Sequence, residues 1–302
     1  MDNARNTASD NRSRLIAHLG MTDRHRLLAG LPTALLEGGE GPPLVLLHGP
    51  AEFAATWMPV LKQLVRSHRV IAPDLPGHGA SDMPAGGLDA GLLGRWLDAL
   101  IEQTCPSRPV LVGRVVGGAI AARFAVEHPD RLAQLVLVDS MGLAPFDPTP
   151  RFSLALHRYL AGPTATTFDR LMEFCTFDLD GVRRRLGTRW QPYAEYTVEM
   201  AGTPTVQAAA GALIGQFSAP IPPEQLAGID VPTTLIWGRD DLALPLQVAQ
   251  AASESYGWPL HVIAEAGDDP PLDRPDAFLA TLHTALGTSA STAVLSLAAR
   301  SD

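Results

Sequence analysis

Short apolar runs alternate with longer segments of helical spacing along most of this 302-residue chain. In the helical segments apolar residues recur every three or four positions, as at Trp57, Val60, Leu61 and Leu64. The runs have the length of strands that are buried on both faces. They lie at 31–36, 44–47, 70–73, 110–112, 135–139, 233–237 and 260–263. This alternation predicts an α/β fold with a mostly parallel central sheet and helices on both faces.

The alternation stops near Pro145 and resumes after Pro223. Between these points the spacing is helical, and aromatic residues and arginines are more frequent, which predicts a helical insertion in a continuous core. The predicted parts are an N-terminal segment at 1–30, disordered at first and with one or two short helices from Ser13 to Leu28, a core at 31–147 and 220–287, a helical cap at 148–219, and a flexible tail at 288–302.

Composition and charge narrow the classes of partner. Hydrophobic residues make up 46% of the chain, charged residues 18%, and the formal net charge is −9. An acidic protein without a basic stripe is not expected to bind nucleic acid or an anionic membrane surface. We therefore expect a small-molecule ligand or substrate as the partner, and the sequence gives no indication of an oligomeric state.

The first residues are polar and charged, where a secretory signal would be apolar. No apolar run reaches the roughly 18 residues that a membrane span needs, so we expect a cytoplasmic protein. The two cysteines, Cys105 and Cys175, have no disulfide or metal-ligand spacing and are expected to be reduced and buried.

The most informative stretch is an apolar strand that runs into a small-residue helix between Val110 and Ala122. Gly113 and Gly117 reproduce the glycines of the nucleophile elbow G-x-S-x-G, a tight turn that lifts its central residue over the end of a sheet. The central residue is Val115, which has no atom that can act as a nucleophile. The scaffold for nucleophilic catalysis is thus predicted without its nucleophile.

Several further motifs, in their order along the chain, resemble those of the α/β-hydrolase superfamily over nearly all of residues 30–287. They are Leu-His-Gly at 47–49, Ala-Pro-Asp-Leu-Pro-Gly-His-Gly at 72–79, the elbow glycines, Val-Leu-Val-Asp-Ser at 136–140, Leu-Ile-Trp-Gly-Arg-Asp-Asp at 235–241 and Pro-Leu-Asp-Arg-Pro-Asp-Ala-Phe at 271–278. The resemblance is to the capped bacterial branch that contains esterases and C–C bond hydrolases. It implies a helical cap over a small-molecule pocket.

In that superfamily the catalytic triad runs Ser, acid, His along the chain. By position, the resemblance places the nucleophile at Val115, the acid at Asp241, and the base at Asp268, within Gly-Asp-Asp-Pro where hydrolases have Gly-His-x-Pro. Two of the three positions are altered. The resemblance therefore implies a non-functional or very weak serine hydrolase that keeps its pocket, since loss of a triad member costs about 10⁴–10⁶ in rate.

An altered triad leaves other chemistry open. The N–H of Val116, together with one from the loop after Gly49, is expected to form an oxyanion-type donor pair, with Gly49 and Pro50 beside it at the pocket. Asp241 and Asp268 are expected to face each other, so that one of them holds a proton. Such a group could act as general acid or base, and the alternative function is therefore a lyase, isomerase or cyclase.

Three further residues near the site have two interpretations each. Arg114 could neutralise the aspartate pair as a structural ion pair. Glu52 could be a pocket acid or could cap the helix that follows it. Ser140 could replace the missing nucleophile in a hydrolase of esters or C–C bonds, or could be a polar strand end, which we favour.

No cofactor motif occurs in the sequence: there is no dinucleotide fingerprint, phosphate-binding loop or zinc spacing. A hard cation on Asp241, Asp268 and Asp269 is conceivable. Aspartates in loops are more often solvated or capping, so neither a metal nor a cofactor is expected.

Overall fold

The computed structural model describes residues 11–17 and 19–287. The expectations of a disordered start and of a flexible tail from residue 288 concern residues that lie outside these ranges.

The predicted alternation of strands and helices is present. The strands are β1 (Thr22–Leu28), β2 (Leu31–Gly38), β3 (Pro43–Leu47), β4 (Arg69–Pro73), β5 (Val110–Val115), β6 (Gln134–Ser140), β7 (Thr233–Gly238) and β8 (Leu260–Ile263). Residues 11–16 are helical (α1). The other α-helices are α2 (Met58–Leu64), α3 (Ala90–Thr104), α4 (Val116–Glu127), α5 (Pro150–Ala161), α6 (Ala165–Cys175), α7 (Leu179–Leu186), α8 (Trp190–Ala201), α9 (Pro204–Phe217), α10 (Pro223–Ala227), α11 (Leu246–Tyr256), α12 (Pro270–Asp273) and α13 (Pro275–Ala285).

The strands form one sheet in the order β1-β2-β4-β3-β5-β6-β7-β8. From β4 to β8 all neighbours are parallel, and β1 and β2 are antiparallel additions at one edge. Every residue of β3 and of β7 is buried, because helices cover both faces of the sheet. The fold class is the one that the sequence predicts.

The N-terminal segment is the part where the prediction is wrong. Residues 22–28 were expected to be helical and outside the core, but they form β1, which pairs with β2 from Thr22–Glu37 to Leu28–Leu31. The strand is polar because it lies at the sheet edge, with only Leu28 fully buried. The charged residues that hide its strand pattern face solvent, and Arg26 pairs with Glu37 on β2.

Helices α5 to α9 lie between β6 and β7, inside the range predicted for the helical insertion. Their inner faces are aromatic: Tyr159, Phe168, Trp190 and Tyr193 form a chain of ring contacts with centroids 5.8–6.3 Å apart. Phe53, in the loop after β3, extends this chain to the core by contacting Tyr193 and Tyr196. The inserted helices are thereby held over the carboxyl ends of the parallel strands.

No helix in the described part of the chain has both the length and the apolar character needed to cross a bilayer.

Candidate functional site

The site is organised around the turn between β5 and α4. Val115 ends the strand with φ 51° and ψ −115°, and α4 begins at the next residue. A positive φ is rare for residues other than glycine and is an outlier for a β-branched one. Val115 is therefore held in a strained conformation, with its side chain only 7% exposed.

Two glycines make this turn possible. A Cβ on Gly113 would lie 2.3 Å from the carbonyl oxygen of Gly117, and a Cβ on Gly117 would lie 2.6 Å from the backbone oxygen of His48. The strand, the helix and the loop after β3 approach so closely here that side chains are excluded. The backbone of a nucleophile elbow is thus complete, with a valine at its apex.

A cavity of about 80 Å³ lies between this turn and the inserted helices. Its walls are mainly aromatic and aliphatic, with acidic side chains at the core end. They comprise Pro50, Ala51, Glu52, Val115, Met141, Phe146, Phe152, Leu156, Tyr159, Phe168, Leu171, Met172, Cys175, Tyr193, Thr197, Ile214, Ala243, Asp268 and Asp269. No histidine is among the described residues that line it. A mostly apolar cavity with a few convergent polar groups is typical of a small-molecule site.

Backbone donors are partly available at the expected oxyanion position. The N–H of Val116 is the first of α4, and the first N–H groups of a helix have no acceptor within it. The N–H of Gly49, by contrast, donates to Glu52 Oε2 at 2.8 Å and is occupied. Pro50 borders the cavity but has no N–H. The next backbone donor in the loop belongs to Ala51, whose φ is 58°.

Arg114 lies behind the cavity wall and is 3% exposed. Its guanidinium pairs with Glu52 and lies 3.4 Å from Asp269 Oδ2, and it donates to the backbone oxygen of Asp268 at 3.1 Å. Burial opposes the charge, but the carboxylates of Asp269 and Glu52 outweigh it, so the pKa of Arg114 is raised. Arg114 does form a buried ion pair, but with partners other than the Asp241–Asp268 pair.

Of the two roles expected for Glu52, it borders the cavity as a pocket acid would, but it is not a helix cap. No side chain caps the 3₁₀ turn that follows it, Ala54–Trp57. Its carboxylate instead joins the loop after β3 to Arg114 at the elbow.

Asp241 is fixed by its own loop, because its Oδ1 accepts from the N–H groups of Ala243 and Leu244 at 2.7 and 2.9 Å. Its Oδ2 is buried, accepts no hydrogen bond, and faces the carboxyl of Asp139 at the end of β6. Asp139 Oδ1 accepts from the N–H of Gly238, and its Oδ2 is also buried without a donor. A proton shared between the two free oxygens would satisfy both.

The pKa values of this pair agree with a shared proton. Burial, and then the charge of Asp241, raises the pKa of Asp139 well above its usual range. Burial raises the pKa of Asp241 to about 6, against the lowering effect of the two N–H groups. Asp139 was missed in the sequence because it ends an apolar strand; a carboxylate at the carboxyl end of a parallel strand was the available signal.

Asp268 and Asp269 reach the cavity from the loop after β8. Asp268 is 8% exposed, and burial, followed by the charge of Asp241, raises its pKa well above the usual range. Burial raises the pKa of Asp269 to about 7, although Arg114 lowers it. Asp269 also caps α12, since its Oδ1 accepts from the N–H of Leu272. Asp268 is thus a buried acid of raised pKa that borders the cavity.

Cys175, at the end of α6, is the second residue that the sequence did not assign to the site. Its thiol lines the cavity beside the carboxyl of Asp268. Burial, and then the charge of Asp268, raises the pKa of this thiol. Cys175 is therefore a neutral thiol rather than an activated thiolate.

The other candidate groups point away from the cavity. Ser140 is fully buried and its hydroxyl donates to the backbone oxygen of Met141 at 2.8 Å, as a polar strand end does. His48 is fully buried, and its Nε2 accepts from the N–H of Leu75 at 2.9 Å. Within the ranges that the structure describes, no group of three or more His, Cys, Asp or Glu side chains is arranged to hold a metal ion.

Comparison with known proteins agrees with this architecture. The model of the alpha/beta hydrolase family matches residues 44–281, which span the sheet from β3, the elbow and the inserted helices. The chain belongs to the alpha/beta hydrolase family.

Relatives within the alpha/beta hydrolase family include enzymes for different substrates. The chain is 31% identical to a 2-hydroxymuconate semialdehyde hydrolase of Pseudomonas sp. (strain CF600), over 81% of this chain and 86% of that protein. It is 27% identical to a pimeloyl-[acyl-carrier protein] methyl ester esterase of Aeromonas hydrophila, over 82% and 97%.

The crystal structure of a 2-hydroxy-6-oxo-6-phenylhexa-2,4-dienoate hydrolase from Rhodococcus sp. strain RHA1 has a TM-score of 0.78 at 24% identity. The match covers 88% of this chain and 98% of that one, and it shows the shared fold.

Proposed function

We propose that this alpha/beta hydrolase family member binds a small molecule beneath a cap formed by α5 to α9 and has little or no serine-hydrolase activity. One observation carries the proposal: the apex of a fully formed nucleophile elbow, at the wall of the cavity, is a valine. A valine side chain cannot form an acyl-enzyme, because it has neither a lone pair nor a proton to lose.

The surroundings of the apex support the same function. The base position of the family falls on Asp268, and an imidazole is absent from the described cavity walls. The cavity itself is retained between the core and the inserted helices, so a ligand can be enclosed even where the hydrolytic reaction is not catalysed. A small-molecule partner and a cytoplasmic location stay predictions from composition and charge.

The test for lost hydrolysis is an assay with p-nitrophenyl acetate. We expect the wild-type protein to show only the background rate, and the double variant Val115→Ser/Asp268→His to exceed it by about 100-fold or more, because a base next to the hydroxyl is restored. The single variants Val115→Ser and Asp268→His are the controls, since each lacks one partner. Ester hydrolysis by the wild-type protein that Val115→Ala leaves unchanged would overturn the assignment of the active centre.

A second function is favoured by Asp268, a nine-tenths buried acid of raised pKa at the cavity wall. A carboxylic acid of raised pKa can donate a proton to a bound ligand, as in lyases and isomerases. If the protein is such an enzyme, Asp268→Asn abolishes turnover of its substrate while the folded structure, followed by circular dichroism, is kept. Turnover that survives this substitution would eliminate the role.

A further inference from the structure

The polar end of the cavity carries acids without a matching cation. The side chains of Glu52, Asp268 and Asp269 line it, and no lysine, arginine or histidine is among its described wall residues. The side-chain partner of the Asp268 carboxyl is the thiol of Cys175, which is only a weak donor. A nine-tenths buried carboxyl is thus directed at the cavity without a strong partner.

The nearby guanidinium does not balance these acids. Arg114 is 3% exposed, and its donors are used by Glu52, by Asp269 and by the backbone oxygen of Asp268. One cation therefore pairs with two carboxyl groups and reaches Asp268 only at its backbone oxygen. A buried carboxylate without a partner is costly, and such a group keeps a proton instead. The raised pKa values of Asp268 and Asp269, caused first by burial, are consistent with that excess of acid.

The opposite wall of the cavity is aromatic. Phe146, Phe152, Tyr159, Phe168 and Tyr193 all border it. The faces of aromatic rings attract cations, and more strongly where water is excluded. Burial, and then the charges of Asp269 and Glu52, raises the pKa of Tyr193 on this wall.

We propose that the ligand of this cavity is a small organic cation, an ammonium group on an apolar, ring-sized body. This rests on the proposed function, because it assumes that the cavity binds a ligand. The ammonium group pairs with Asp268 and Asp269, and the apolar body packs among the aromatic rings. On binding, the carboxyl group gives its proton to the solvent, and the carboxylate left behind pairs with the ammonium.

The first experiment compares three ligands of one shape and different charge: benzylamine, benzyl alcohol and benzoate, each titrated by calorimetry into the full-length protein at pH 7.5. We expect benzylamine to bind about 10-fold more tightly than benzyl alcohol, and benzoate to bind most weakly. Tighter binding of benzyl alcohol or benzoate overturns the inference and leaves the proposed function standing. Absence of binding by all three at millimolar concentration removes both.

Proton release gives an independent measurement on the wild-type protein. Asp268 is faced by Asp241, Arg114, Asp269, Glu52 and Cys175. Because a carboxyl in this group must lose its proton, the affinity for benzylamine should rise roughly 10-fold between about pH 6 and pH 8, while that for benzyl alcohol stays flat. Equal pH dependence for the two ligands contradicts the proposal.

Asp268→Asn is the matching variant. An amide is close in shape to the protonated acid, so the fold is expected to be kept, but it cannot become an anion. We expect the preference for benzylamine over benzyl alcohol to fall roughly 10-fold. Asp276→Asn, which removes an exposed acid on α13, should leave the preference unchanged. An undiminished preference in Asp268→Asn would contradict the assignment.

Discussion

The strain at Val115 persists because both of its flanks are fixed. Residues before it are paired with β3 and β6, and residues after it enter α4 at once. A residue in such a sparsely populated backbone region costs about 1–3 kcal/mol, and it stays there only when its surroundings determine it. The conformation is thus a property of the elbow and does not depend on a reactive side chain at its apex.

The Asp139–Asp241 pair gives a prediction at the residue scale. In Asp139→Asn, the amide oxygen can still accept from Gly238, and the NH₂ group can donate to the free oxygen of Asp241. No shared proton is then needed, whereas the wild-type pair must keep a proton that the unfolded chain has lost. We expect the variant to be more stable than wild type by about 1–2 kcal/mol at pH 8, with a smaller difference at pH 5.

Urea denaturation at the two pH values measures this difference. Asp240→Asn is the control, because it makes the same substitution at an exposed position next to Asp241. A variant that is equally or less stable than wild type at pH 8 would mean that the two carboxyls do not share a proton.

At the scale of elements, the sequence predicted the strands and the turn that follow from a local residue pattern. The buried parallel strands are apolar runs. The elbow has glycines because neighbouring backbone segments lie so close together that a Cβ atom does not fit between them. β1 was missed because an exposed edge strand of charged residues has no apolar period. The contacts of Arg114, Asp139 and Cys175 could not be derived, because each joins segments far apart in the chain, as Arg114 and Asp268 are.

The N-terminal helix is also attached by contacts between segments that lie far apart in the chain. The side chain of Arg12, on α1, donates to Asp23 on β1 at 2.8 Å and to the fully buried Asp74 at 2.7 Å. Asp74 Oδ1 in turn accepts from the N–H of Ala54, in the loop that leads to α2. One arginine therefore joins the N-terminal segment to the loops after β3 and β4.

Loss of this arginine should release the segment and destabilise the core. In Arg12→Met, Asp74 stays buried without its cation, and we expect a loss of about 3 kcal/mol in the free energy of unfolding. Urea denaturation measures the loss, and Arg14→Met is the control, since Arg14 lies on the same helix but is exposed. Equal stability of the two variants would show that the ion pairs of Arg12 do not anchor the segment.

At the scale of the whole molecule, buried histidines and buried aspartates have opposite effects on how the free energy of unfolding depends on pH. Burial lowers the pKa of His48, and lowers that of His78 to about 3. The unfolded chain therefore binds more protons at these histidines, and stability rises with pH up to the unfolded histidine pKa, about 6.5. Burial raises the pKa values of Asp139, Asp241, Asp268 and Asp269, so the folded state binds more protons there, and stability falls as pH rises.

Near pH 6.5 the aspartates replace the histidines as the main cause of the pH dependence of stability. Above that value the histidine contribution is complete, while the raised pKa values of Asp139 and Asp268 still favour protons that the unfolded chain lost near pH 4. We expect the free energy of unfolding to fall by about 2 kcal/mol between pH 6.5 and pH 8.5. Urea denaturation at pH 6.5, 7.5 and 8.5 measures this, and the fall should be smaller in Asp139→Asn, which lacks one of the two protons. A free energy that is constant or rises over this range would mean that the buried aspartates ionise without cost, and the acidic end of the cavity would then be a set of ordinary carboxylates.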